Sequence, residues 1–220
     1  MRHIDRFYKP QILKEKDEEW TRKFLESGKN RPSSKQYAHK DIIDALMNLS
    51  NGKCFYSEKK LQGLPKEVDH LIEVSIDKSK AFEWENLYLS TKECNDGRPT
   101  EEDLPKSEVL DPCINTDEEI MQHLTFEDDV AVSCNNSEIG EKTIKKFKLI
   151  NNESLLFQRM RFLQKLAKLI FSCYERRLKE GRMDFTDEEK QLFRSYARPD
   201  KEFSLMVEIY LRKNVPSLWT

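Results

Sequence analysis

The stretch Lys66-Glu67-Val68-Asp69-His70-Leu71-Ile72-Glu73-Val74, KEVDHLIEV, carries β-branched residues at 68, 72 and 74, two or four positions apart and so on one face of an extended segment. The spacing predicts a strand over Val68–Val74. Near its middle Asp69 and His70 stand side by side, and ionisable groups in a packed strand cost stability unless something pairs with them. Adjacent residues on a regular strand point to opposite faces, so for both side chains to serve one site the strand has to twist, bulge or end there.

Around this segment, between Cys54 and Cys113, the chain reads as short β-like runs broken by turns: Cys54–Tyr56, Val68–Val74 and Leu87–Leu89. Ser90-Thr91-Lys92-Glu93 then has the S-x-x-E form of a capping box, predicting a helix from Ser90 that is brief because Gly97 and Pro99 follow. The flanks are helical. Trp20, Phe24 and Leu25 fall at helical spacing within residues 11–28, and a Gly, Asn, Pro and Ser loop follows over Gly28–Ser34. Ile42, Ile43, Ala45, Leu46 and Leu49 form an apolar stripe stopped by Asn51-Gly52. From Leu155, apolar residues recur at three- and four-residue steps through Tyr174, Thr186-Asp187-Glu188-Glu189 is a second capping box, and Phe203–Leu211 closes the chain as a helix. The expectation is an α+β protein in three parts: an N-terminal helical segment (1–52), a compact core (53–115) and a C-terminal helical region (116–220).

At 220 residues, 37% hydrophobic and 35% charged, the composition is that of a globular protein with a heavily charged surface. No apolar run approaches the roughly 20 residues that span a bilayer, and MRHIDRFYKP lacks the apolar stretch of a signal peptide, so a cytoplasmic location is expected. Five scattered cysteines suggest reduced thiols rather than a disulfide scaffold. A net charge of −2 excludes a strong polyanion binder as a whole and leaves any grip on nucleic acid to a local patch or a partner. One such patch is the basic excess of Arg159, Arg161, Lys165, Lys168, Arg176, Arg177, Lys179 and Arg182, read chiefly as a solvated helix face.

Asn86, in Trp84-Glu85-Asn86-Leu87, lies sixteen residues after His70, and Asn95, in Cys94-Asn95, lies twenty-five after it. The order strand–loop–strand–helix carrying D-H, then N, then N resembles the ββα-metal motif of HNH endonucleases. The resemblance implies a role for each residue. Asp69 is a ligand of Mg²⁺ or Mn²⁺, hard cations that take oxygen donors while sharing a substrate phosphate, and Asn95 gives a second oxygen from its amide. His70 is the general base, since an imidazole of ordinary pKa near 6.5 accepts a proton from water at neutral pH. Asn86 is structural, tying the loop to the segment that bears the histidine. Arg98, three residues past Asn95, matches a position often basic in the family, with a phosphate contact and an idle exposed arginine as its two readings. Glu73 and Glu85 lie close in sequence and are not expected to bind metal, and His3, His39 and His123 are read as surface or packing residues.

Many family members brace this motif with a zinc knuckle of two C-x-x-C pairs. Here Cys54 is followed by Ser57, and Cys94 preceded by Thr91, where the second cysteines would stand. Two thiols make a poor four-coordinate zinc site, so structural zinc is not expected and Cys54 and Cys94 should face each other as small packed residues. With Glu58 fitting the C-x-x-C-E variant, the runs Leu110-Asp111-Pro112-Cys113, Thr143-Ile144, Leu149-Ile150-Asn151 and Arg159 or Arg161 resemble the HNH nuclease subunit of Septu-type and retron-associated antiphage systems. That resemblance implies an ABC-type ATPase as partner and a nucleic acid, DNA or RNA, as substrate. The competing expectation is a non-catalytic subunit that keeps the motif as a scaffold for binding or regulating an ATPase.

Overall fold

In the computed structural model, which describes residues 1–219, the chain is an α+β protein, mostly helical, with two small antiparallel sheets. The first sheet pairs β1 (Glu67–His70) with β2 (Leu87–Ser90) in the register Glu67↔Ser90, Val68↔Leu89, Asp69↔Tyr88 and His70↔Leu87. Sixteen residues, 71–86, join the strands and include two 3₁₀ turns, Lys78–Phe82 and Trp84–Asn86. A one-turn helix follows β2, so the order strand, crossover, strand, helix is continuous in the chain.

Helices on both sides close over this unit. Among them, α1 (Gln11–Glu26) sets the Trp20 and Phe24 rings edge-on to Phe82 of the crossover, with centroids 5.5 and 6.3 Å away. After the short α2 (Ser34–Tyr37), α3 (Lys40–Leu49) buries the Ile42, Ala45, Leu46 and Leu49 stripe. It stops at Asn51, whose left-handed φ of 53° suits an Asn-Gly helix end. Ahead of α1, Arg6 donates to the carbonyls of Trp84 and Leu87 at 2.6 and 2.7 Å while its guanidinium lies over the Tyr88 ring, strapping the N-terminal segment across β2.

Beyond the helical turn after β2, α4 (Lys92–Asn95), come α5 (Asp117–His123), β3 (Leu124–Glu127), β4 (Val130–Ser133), α6 (Glu138–Lys146) and the 27-residue α7 (Glu153–Lys179). The chain then forms α8 (Asp187–Tyr196), opened by the complete Thr186/Glu189 capping box, and α9 (Ser204–Asn214). The buried Glu58 carboxylate accepts from the Ser204 backbone and hydroxyl and from Lys53, anchoring the start of α9 to the turn ahead of β1. Tyr56 stacks on Phe147 with ring centroids 4.0 Å apart, joining the same turn to the end of α6.

Four expectations are corrected. Cys54–Tyr56 is a turn, not a strand: a single bridge, Lys53↔Lys60, closes it, and Phe55 N–H reaches the Leu89 carbonyl at 2.9 Å without extending the ladder. The strand expected to reach Val74 ends at His70, because the backbone of Ile72 is taken by the Asn86 side chain instead of by β2. The short helix is capped by Thr91, whose hydroxyl accepts from Cys94 N–H, and not by Ser90, which remains the last residue of β2. The C-terminal region is not purely helical, since Leu124–Ser133 forms the β3–β4 pair turned at Asp128, φ 53°. Among the described residues no helix is long and apolar enough to cross a membrane.

Candidate functional site

Asn86 organises the crossover. It is only 3% exposed; its Oδ1 accepts from Ile72 N–H at 2.7 Å, and its Nδ2 donates to the carbonyls of Ile72 at 2.9 Å and Lys80 at 3.1 Å. Its own carbonyl accepts from Leu71 N–H. One amide therefore satisfies both backbone groups of Ile72 just after His70 and a third in the crossover, and halts the ladder there, so of the three ways to place Asp69 and His70 in one site, the strand ends.

His70 is half-buried. Its Nε2 lies 2.9 Å from the Ala81 carbonyl, and because a carbonyl only accepts, Nε2 carries the proton and Nδ1 keeps a free lone pair. No described residue bonds to that Nδ1. The Tyr37 ring of α2 rests on the imidazole, with centroids 4.8 Å apart. Burial lowers the His70 pKa below the ordinary histidine value, against the pull of the Ala81 hydrogen bond, so the ring is neutral at pH 7.

Asp69 leaves β1 on the opposite side from His70 and is 4% exposed. Its Oδ2 accepts from the Tyr56 hydroxyl at 2.7 Å and its Oδ1 from Arg98 at 3.2 Å. Arg98 is neither exposed nor idle. It is 8% exposed, and Nη2 also donates to the carbonyls of His70 at 2.6 Å and Leu71 at 3.1 Å, while Nη1 lies 2.9 Å from Glu73. Asn95 donates from Nδ2 to Glu67 at 2.9 Å. Glu67 precedes Asp69 by two positions on the same face of β1, a spacing of about 7 Å, so the Asn95 amide and the Asp69 carboxylate share one side of the strand. The structure thus gathers Asp69, Asn95 and Arg98 on one side and sets His70 at the strand end, with the His70 carbonyl bonded to the arginine that holds Asp69.

The oxygen donors on that side, the Asp69 carboxylate and the Asn95 Oδ1 left free when Nδ2 turns to Glu67, have the chemistry of a hard divalent cation's ligands. Among the described residues no group of three or more His, Cys, Asp or Glu is arranged to hold a metal ion. A site of one carboxylate and one amide lies outside that description, because Mg²⁺ keeps waters and substrate oxygens for its remaining positions.

Cys54, Ser57, Thr91 and Cys94 meet in the interior beneath α4. The two thiols hydrogen-bond each other, as expected of small residues facing one another, and Ser57 contacts both sulfurs. Burial pushes the Cys54 thiol up, but bonds from Cys94 and Ser57 outweigh it and bring it down to about 6. Cys94, whose proton goes to Cys54, sits well above the usual thiol range.

Tyr37, Tyr56 and Glu67 are the contacts that sequence reasoning missed, and Glu73, noted for its closeness in sequence, enters as a partner of Arg98. Only Glu67 carried a usable signal, its two-residue spacing from Asp69. Of the remaining histidines, His39 caps α3, His123 bonds Ser137, and His3 meets Asn115 and Asp5. Arg159 is buried rather than solvated, donating to the Leu149 carbonyl beneath the Phe126 ring. No family model and no curated protein matches the chain.

Proposed function

We propose that this chain is a metal-dependent endonuclease of the HNH type, hydrolysing phosphodiester bonds of nucleic acid, with β1, the crossover, β2 and α4 as its ββα-metal core. The observation that carries the reading is the state of His70: a neutral imidazole with its proton fixed on Nε2 by Ala81 and a free Nδ1, one residue from a buried aspartate. That is the protonation state a general base needs at neutral pH.

In this reading His70 Nδ1 accepts the proton of an attacking water, and the Asn86 clamp keeps the Ala81 carbonyl and the backbone after His70 in register so that the ring does not turn. Asp69 and Asn95 hold Mg²⁺ or Mn²⁺, which when bound offsets negative charge on the phosphate and on the departing 3′ oxygen. The substrate is DNA or RNA, and the motif handles phosphate and sugar without reading bases. The sequence resemblance to antiphage nuclease subunits extends the proposal to a defence role beside an ABC-type ATPase.

The decisive experiment incubates the purified chain, alone and with an ABC-type ATPase of the kind the resemblance implies, with DNA and with total RNA under Mg²⁺. Cleavage is expected in one arm and its loss in His70→Ala; full cleavage by His70→Ala sinks the mechanism. A second reading, a non-catalytic subunit that recruits an ATPase, is favoured by one observation: both Asp69 oxygens are already engaged, by Tyr56 and Arg98. It predicts no divalent-ion binding by calorimetry, with or without DNA.

A further inference from the structure

The partner of Asp69 is itself a cation. Arg98 touches Asp69 with one nitrogen, Nη2, which also serves the carbonyls of His70 and Leu71, so the 3.2 Å bond to the carboxylate is the longest of three from a single atom. Its other terminal nitrogen faces Glu73. There the ions are 2.9 Å apart, yet both Arg98 Nη1 and Glu73 Oε1 are sealed from solvent and lack an aligned hydrogen bond. A sealed, unaligned donor and acceptor this close gain a full charge-assisted bond from a small rotation. Glu73 is fixed in place by its Oε2, which accepts from Glu101 N–H at 2.9 Å, and Gly97, left-handed at φ 61°, directly precedes the arginine.

A divalent cation and a guanidinium cannot share one buried carboxylate without strong repulsion, since charge interactions grow as the local dielectric falls. Resting on the metal-dependent reading above, we propose that Arg98 is a resident counter-ion of Asp69 which a divalent cation displaces toward Glu73, making metal loading an exchange of one cation for another. The carbonyls of His70 and Leu71 and the Glu73 carboxylate keep the guanidinium paired as it moves. Arg98 is a positioning residue here, and Glu73 acts only through it.

The test is calorimetric titration of the full-length chain with Mn²⁺, with folding of each variant checked by circular dichroism. Arg98→Gln is expected to bind Mn²⁺ at least about tenfold more tightly than wild type, and Arg98→Lys, which keeps the charge but not the fork, to fall between them. Glu73→Gln is expected to weaken binding severalfold, because the arginine has lost the group that receives it. If Arg98→Gln does not fold, Glu73→Gln and Arg98→Lys carry the test. In the Arg98→Gln background Glu73→Gln should change nothing, whereas a Glu73 that bound metal directly would still matter. Asp69→Asn should abolish binding in every background. Equal Mn²⁺ affinity in wild type and Arg98→Gln, with Asp69→Asn still silent, would overturn the exchange and leave the metal site standing. Absence of any Asp69-dependent binding in all variants overturns the nuclease reading and the exchange with it.

Discussion

The two sheets of this protein are the same size, and only one of them buries a charge. β1–β2 and β3–β4 are both four-residue antiparallel pairs, but the first buries Asp69 among Val68, Leu87, Tyr88 and Leu89 and receives Asn86 and Arg98, while the second buries only Leu124, Phe126 and Ala131. The second is joined by a tight turn at Asp128, the first by a sixteen-residue crossover whose backbone is pinned by one asparagine. A two-stranded pair in this fold therefore needs no buried charge. Keeping an aspartate, an arginine and a clamped asparagine around the first pair costs desolvation that an apolar pair avoids, a cost the proposed function would account for.

Substitutions can break that contrast. His70→Ala should cut metal-dependent cleavage by about 10²- to 10⁴-fold, the usual contribution of a positioned base, while costing about 1–2 kcal/mol of unfolding stability through the lost Ala81 hydrogen bond and Tyr37 ring contact. Phe126→Ala in the apolar pair should do the reverse, costing about 3–5 kcal/mol in denaturant unfolding through the cavity left under Arg159. Cleavage per folded molecule should stay at the wild-type level. If Phe126→Ala lost activity beyond its unfolded fraction, the two sheets would not be separable in the way their chemistry suggests.

The same contrast predicts a pH response. Burial pushes the Glu58 carboxyl up, but the Met1 amino group, Lys53 and Arg2 outweigh it and hold it far below the usual carboxylate range. A carboxyl with a depressed folded pKa stabilises the fold fully above its unfolded value, about 4.3, and that stability is lost as pH falls from there toward the folded value. Glu58→Gln should therefore cost about 3–5 kcal/mol at pH 7, because it leaves buried cations unpaired. Its stability should also fall less steeply than that of wild type between pH 5 and 2. Parallel acid-unfolding curves for the two proteins would contradict this assignment.

Much of the site was legible where local chemistry is written in spacing. Asp69, His70, Asn86 and Asn95 stand out by type and separation, and Asn86 takes the bridging position expected of it. The helices came through for the same reason: the α3 stripe and the Thr186 box are local patterns, and local patterns survive packing. The partners of Asp69 were not legible, because Tyr56 is thirteen residues away and Arg98 twenty-nine, brought in by a turn and a one-turn helix with no periodicity to read. The β3–β4 pair was missed although Thr125-Phe126-Glu127 and Val130-Ala131-Val132 flank an Asp-Asp turn, since four-residue strands between helices give too short an alternation to outweigh the helical surroundings.

The smallest expected effect tests most finely whether the polar pair is built for function. Asn86→Ala removes one acceptor and two donor contacts and leaves Ile72 N–H and the Ile72 and Lys80 carbonyls to find other partners. At about 1 kcal/mol for each bond, the loss in urea unfolding should be about 2–3 kcal/mol. Asn86→Asp is nearly isosteric and should be worse: its carboxylate still accepts from Ile72 N–H, but its other oxygen faces the two carbonyls that Nδ2 now serves, setting negative charge against acceptors in a buried place. A scaffold that used Asn86 only for stability would lose cleavage in proportion to folding. In the nuclease reading both variants lose more cleavage than folding, because releasing Ile72 and Lys80 frees the segment that carries Ala81, and with it the carbonyl that keeps the His70 proton on Nε2.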